Sequence, residues 1–131
     1  MIVDSSALVA ILLREPGWHT MEAAILDADR ALLPAAAYVE TAIRVDARRD
    51  LGLSAALDTL VRSLGLEIAP LTADQAHLAR AAFRRYGKGM DPAGLNFGDC
   101  LVYALAKTTG EPLLFKGGDF GRTDLTPALP A

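Results

Sequence analysis

Short apolar runs alternate along this chain with longer segments of helical spacing. "MIVD" is followed at once by "SSALVAILLRE", a helix pattern that ends before Pro16-Gly17, so strand, turn and helix fit into the first fifteen residues. A second helix is expected from Trp18 to Asp29, a second strand at "RALLP", and a strong helix over "AAAYVETAIRVDARRD" closed near Leu51-Gly52, with another from Ser54 to Leu64. "LEIAPL" alternates like a strand. "TADQAHLARAAFRRYG" then opens on the capping pair Thr72 and Gln75 and closes on Gly87 as a C-cap. After the turn-forming "KGMDPAGLN" comes a helix that Gly110 stops, and "PLLF" is a last buried strand. Apolar strands separated by helices predict an α/β fold with a parallel sheet of four or five short strands, covered on both faces.

The 131 residues suit one domain spanning 1–131, with one core and one site. Apolar residues make up 52% but aromatics only 6%, so Ala, Leu, Val and Ile must build that core. The apolar runs Ser5 to Leu13 and Ala31 to Val39 are closed by charges and too short to span a membrane. No basic lead precedes the first of them, and the chain is expected to be cytoplasmic. The single Cys100, on an apolar helix, is expected to pack rather than react. A net charge of −3 argues against holding nucleic acid by bulk electrostatics, yet leaves room for a metal that supplies positive charge locally.

Four acids fall where ligands bind in open parallel sheets, at the carboxyl ends of the strands. Asp4 closes the first strand and Asp119 follows the last. Asp99 lies in the first turn of its helix. Glu40 shares a stripe with Ala36, Ile43 and Ala47, which points it toward the core side. Each acid also has a local role open to it: Asp4 as an N-cap, Asp99 as the partner of Asn96 in a capping pair, Asp119 as a turn residue. Glu40 has no cap to serve. Four carboxylates at one end of one sheet repel and raise one another's pKa unless a cation binds among them. Oxygen ligands without clustered Cys or His select Mg²⁺ or Mn²⁺, ions suited to in-line attack on a phosphodiester.

The blocks "MIVDSSALVAILLRE", "AAYVETAI", "GLNFGDCLVYALAK" and "PLLFKGGDFGRTDL", in that order and nearly end to end, resemble a PIN-domain ribonuclease of the VapC type, the toxin half of a toxin–antitoxin pair. The resemblance implies a three-layer α/β/α fold and Mg²⁺-dependent endoribonuclease activity. It also implies a homodimer and a cognate VapB-like antitoxin that blocks the site, in a heterotetramer or larger assembly. It carries the family's acidic positions onto Asp4, Glu40, Asp99 and Asp119, and its Ser or Thr after the first acid onto Ser6, as a hydrogen-bonding partner of a carboxylate. Gly118 stands where related sequences often have a further acid, with Asp124 as a possible substitute for it or else a solvated turn residue.

For an RNA substrate, Arg80, Arg84 and Lys88 recur every four residues with Arg85 beside them, and Arg44 and Arg48 follow Glu40; each stripe is either a phosphate path or a solvated helix face. Lys116 follows the last strand, as a phosphate contact or a surface lysine. His19 and His77 lack partner acids and receive no chemical role, while Trp18, Met21, Ala24 and Ile25 are assigned to the core or a protein contact. The rival of another class is a receiver-like domain that accepts phosphate on aspartate, but the chain lacks paired acids at the first strand's end and an Asp closing "LEIAPL". A haloacid-type phosphatase needs an Asp where Ser6 stands. An inactive PIN-like binding module is disfavoured by the presence of all four acids.

Overall fold

A computed structural model describes residues 1–130. The elements run β1 (Ile2–Val3), α1 (Ser5–Leu12), α2 (Trp18–Asp27), β2 (Leu32–Pro34), α3 (Ala35–Asp46), α4 (Leu51–Ser63), β3 (Glu67–Ala69), α5 (Ala73–Tyr86), α6 (Phe97–Thr109) and β4 (Leu113–Leu114), with a final 3₁₀ turn at Phe120–Arg122. The four strands form one all-parallel sheet in the order β3-β2-β1-β4. Ile2 pairs with Leu32 on one side and Leu113 on the other.

That order fixes both the layers and the crevice. The first two crossovers step from β1 outward to β3; the third returns past β1 to its far side. With right-handed crossovers, α1 to α4 therefore cover one face and α5 and α6 the other. The strand order reverses between β1 and β4, which is where parallel sheets of this kind open a cleft beyond their carboxyl ends. Ile2, Val3, Leu33, Leu113 and Leu114 are wholly buried between the layers. Strands of two or three residues suffice for β1, β2 and β4, which are buried, whereas the edge strand β3 departs from the expected cover on both faces, with Ile68 48% exposed. The outer edge of β4 is capped by the tail, with Leu113 N–H donating to Thr126 and Ala128 N–H donating to Leu113.

Local signals acted largely as their chemistry demands. Thr72 accepts from Gln75 N–H, and Gly110 adopts the left-handed C-cap at φ 70° that glycine alone tolerates freely. Two glycines behave differently from expectation. Gly52 does not close α3 but lies within α4, because Asp50 accepts from Leu53 N–H and starts that helix; the break falls at Arg49, with φ 53°. Gly87 is at the end of α5, but its backbone is extended (φ −67°), and glycine is required there by space: a Cβ would strike the Phe83 carbonyl oxygen and ring.

Asp124 is an exposed residue of a bend, as one reading expected, and it is engaged by partners other than the four acids. Its carboxylate accepts from the Tyr103 hydroxyl at 2.7 Å and from Lys107 Nζ at 3.0 Å, with Arg85 Nη1 at 3.6 Å, so it fastens the C-terminal segment to α5 and α6. Those partners hold its pKa below the usual carboxylate value, the Tyr103 bond first among them, and burial together with this bond pushes the Tyr103 hydroxyl upward. Asp124→Ala is expected to lower the free energy of unfolding by about 1–2 kcal/mol, the scale of a charge-assisted hydrogen bond near solvent. Chemical denaturation of the two proteins checks it.

Candidate active site

Asp4 leaves β1 directly into the crevice. It is 4% exposed and caps α1: its Oδ2 accepts from Ser6 N–H at 3.0 Å and from the Ser6 hydroxyl at 2.5 Å. The same Ser6 oxygen accepts from Lys116 N–H at 3.0 Å, so one hydroxyl fastens the exits of β1 and β4 together. Burial raises the Asp4 pKa above its ordinary value, with the nearby Asp119 charge adding to it, against the lowering effect of the Ser6 and Ser5 donors.

Glu40 reaches the crevice from α3, although not by the face that its spacing suggested. The core stripe of α3 is Ala37, Thr41 and Val45; Ile43, expected on the core side, is 63% exposed. Glu40 lies at the border between these faces, half-buried, with its carboxylate against the first turn of α6, where Oε2 lies 2.7 Å from the position of a Cβ on Gly98. Burial is the main cause of its raised pKa and the Asp4 charge the next, while Arg44 and Ser5 act in the opposite direction.

Asp99 and Asn96 form a complete capping box: the Asn96 side chain accepts from Asp99 N–H at 2.9 Å, and Asp99 Oδ2 accepts from Asn96 N–H at 3.1 Å. Capping alone holds a carboxylate at or below its ordinary pKa. Here the pKa is instead raised to about 6, by burial first and then by the charges of Asp4, Asp119 and Glu40. Asp119 opens the 3₁₀ turn, exposed and without a side-chain capping bond, and its charge acts on both Asp4 and Asp99. All four acids, from four separate elements, thus meet in one electrostatic neighbourhood centred on Asp99.

The donors are oxygens. His19 and His77 are exposed on α2 and α5, and Cys100 is buried, its thiol pushed up by burial and by Asp99. Among the described residues no three acidic, His or Cys side chains stand close enough together to hold a metal ion between them. Oxygen donors that do not close into a set of three suit a hard divalent cation that keeps several waters and takes only one or two carboxylates directly. The donor chemistry therefore fits such a metal.

Of the cations expected near a substrate, Arg44 acts on Glu40. Arg80, Arg84 and Lys88 are exposed along and just beyond α5, and Arg85 is turned away to Asp124 and the Tyr86 ring. Lys116 directs its amine to Glu15, 3.6 Å away, while its backbone serves Ser6. Met21 and Ile25 are core residues, as expected, and Trp18 is half-buried beside His19. Two residues that sequence reasoning passes over, Ser5 and Gly98, both lie against Glu40. The adjacent serines after Asp4 signal the first; nothing in one sequence signals the second.

An all-parallel α/β sheet brings Asp4, Glu40, Asp99 and Asp119 into one electrostatic neighbourhood at its reversal point. The PIN domain matches residues 1–125. The chain belongs to the PIN-domain family, and its relatives place it among the VapC-type ribonucleases. Ribonuclease VapC30 of Mycobacterium tuberculosis is 47% identical over 131 residues, covering 99% of this chain and 100% of the relative. Ribonuclease VapC28 of the same organism is 49% identical over 130 residues, 98% of each chain. The crystal structure of M. tuberculosis VapC20, described as a toxin that cleaves the sarcin-ricin loop, shares the fold, with a TM-score of 0.78 at 18% identity over 98% of both chains.

Proposed function

We propose that this chain is the toxin of a toxin–antitoxin pair, an endoribonuclease that hydrolyses RNA phosphodiester bonds with Mg²⁺ or Mn²⁺ held by Asp4, Asp99 and Asp119, and by Glu40 directly or through water. The observation that carries the reading is the 47–49% identity to VapC ribonucleases over nearly the whole chain, and the grouping of Asp99 with three other acids at the head of α6 supports it. When bound, the divalent cation lowers the pKa of a water and offsets the charge on the phosphate.

The chain's own residues do the rest. Ser6 orients Asp4 and ties it to the exit of β4. Asn96 fixes Asp99 at the start of α6. Glu40, with its raised pKa and its place against α6, accepts the proton of the attacking water where it does not serve the metal. Arg44 lies close enough to Glu40 to meet a phosphate entering the cleft, and Arg80, Arg84, Lys88 and Lys116 extend the path for a longer RNA.

Partners follow from the same surface. Val39 and Ile43 on α3 and Phe97 on α6 are 51%, 63% and 82% exposed, and they line an apolar groove beside Glu40. Such a groove bordering the acids supports a VapB-like antitoxin that covers them, and a homodimer that joins with it into a heterotetramer or larger assembly. Among the described residues no helix is long and apolar enough to cross a membrane; the proposed setting is the cytoplasm.

Purified chain with Mg²⁺ is expected to cut a structured RNA transcript. A chelator stops the reaction, and Asp99→Asn lowers its rate by at least about 100-fold while circular dichroism stays unchanged, the scale expected when a positioned charge is lost. Full activity of Asp99→Asn, or full activity in the chelator, overturns the assignment.

A further inference from the structure

Gly98 holds the second position of α6, where a glycine costs helix stability relative to alanine and brings no conformational gain. Its backbone is helical and it is not one of the positive-φ glycines, so any residue fits its torsions. What a side chain would meet is the Glu40 carboxylate. A Cβ at 98 would lie 2.7 Å from Oε2 and 3.4 Å from Cδ of Glu40, and 3.6 Å from the Asn96 amide oxygen. The first distance is shorter than real Cβ contacts, so one partner must move.

Which partner moves is settled by comparison with Gly87. There a Cβ would strike a backbone oxygen, which cannot yield without deforming α5. At Gly98 the obstacle is the far end of a flexible side chain half-open to the cleft. Glu40 can rotate out toward the groove by Val39 and Ile43 with little loss of packing. An added methyl therefore leaves the fold intact and displaces the carboxylate from its place beside Asp99.

We infer that Gly98 is a positioning residue for Glu40: the missing side chain is the space that lets this carboxylate rest against the start of α6, within reach of Asp4 and Asp99. The inference rests on the reading of Glu40 as a working member of the site. Its consequence is that a substitution favourable to the helix is unfavourable to the reaction.

The test is a double-mutant cycle of Gly98→Ala and Glu40→Ala, followed by single-turnover RNA cleavage with Mg²⁺ and by thermal unfolding. Gly98→Ala is expected to slow cleavage by at least about tenfold, the scale seen when a supporting contact of a metal site is lost, with Tm equal to or above that of the unsubstituted chain. Added to Glu40→Ala, it produces no further slowing, and a crystal structure of Gly98→Ala has the Glu40 carboxylate rotated away from α6. If Glu40→Ala is impaired but Gly98→Ala cleaves at the original rate, the role of Gly98 is overturned and the site reading stands. The role of Gly98 is likewise overturned if its substitution lowers Tm, or slows cleavage equally with and without Glu40. If Glu40→Ala itself is fully active, the reading of Glu40 on which the inference depends is overturned.

Discussion

Asp4→Asn is expected to reduce RNA cleavage by at least about 100-fold without loss of the fold. The substitution keeps the shape of the side chain and an oxygen that accepts from Ser6, so the N-cap of α1 and the tie to β4 survive. What it removes is the charge. In the metal-free protein that charge is a burden: Asp4 is 4% exposed and its pKa is raised by burial and by Asp119. The neutral amide should therefore leave Tm unchanged or raise it while activity collapses. Loss of activity together with gain of stability separates a working charge from a structural one, since a merely structural aspartate loses stability when it is neutralised. Thermal unfolding and cleavage rates measured on one preparation check the pair of outcomes.

The pH dependence of stability should change form when metal is added. Asp4, Glu40 and Asp99 all have raised pKa values, Asp99 to about 6. An acid whose pKa is higher in the folded state holds its proton there at pH values where the unfolded chain has released it. The folded state then binds more protons, and stability falls as pH rises. For Asp99 the favourable contribution is fully present below its unfolded value near 4 and is lost as pH passes about 6. A divalent cation binds the ionised carboxylates, so its stabilisation is small below about pH 6 and grows above it. Without metal, the Tm of the chain relative to that of Asp99→Asn should decline between pH 4 and about 6, a comparison that cancels the opposite contribution of acids with lowered pKa such as Asp124; with saturating Mg²⁺, that decline should be reduced or reversed at neutral pH. A Mg²⁺-induced Tm shift of the same size at pH 5 and pH 7.5 would count against the carboxylate centre.

Much of this architecture is legible in short, local signals, and the departures have identifiable physical origins. "MIVD", "RALLP", "LEIAPL" and "PLLF" all form strands of one parallel sheet, the buried three marked by their composition and the edge strand β3 by its alternation. The Asn96–Asp99 box and the Thr72 cap are equally legible, because caps depend on residues a few positions apart. The face of α3 is not. Two apolar stripes run along that helix, and sequence cannot tell the one that meets the core, Ala37 and Val45, from the one left facing outward, Val39 and Ile43. Glu40 stands out in the sequence as an acid on an apolar stripe, yet in the fold it borders the core rather than facing it.

Contacts between distant segments are less accessible. The engagement of Asp124 by Tyr103 and Lys107 depends on the tail returning across α6, and that of Gly98 with Glu40 on α3 meeting α6 beyond the sheet. Neither pairing leaves a local trace. The convergence of Asp4, Glu40, Asp99 and Asp119 is inferable only because strand ends in a parallel sheet share one side, a rule of topology and not of any single residue.

The central claim is that these carboxylates gather to bind a divalent cation. It is tested most directly by titrating Mn²⁺ into the metal-free chain at neutral pH and into Asp4→Asn and Asp99→Asn, with binding followed by calorimetry or by the electron paramagnetic resonance signal of the free ion. Saturable binding to the unsubstituted chain, weakened by at least about tenfold in each variant, is the predicted result. Equal affinity in all three proteins, or no saturable binding to the first, contradicts it.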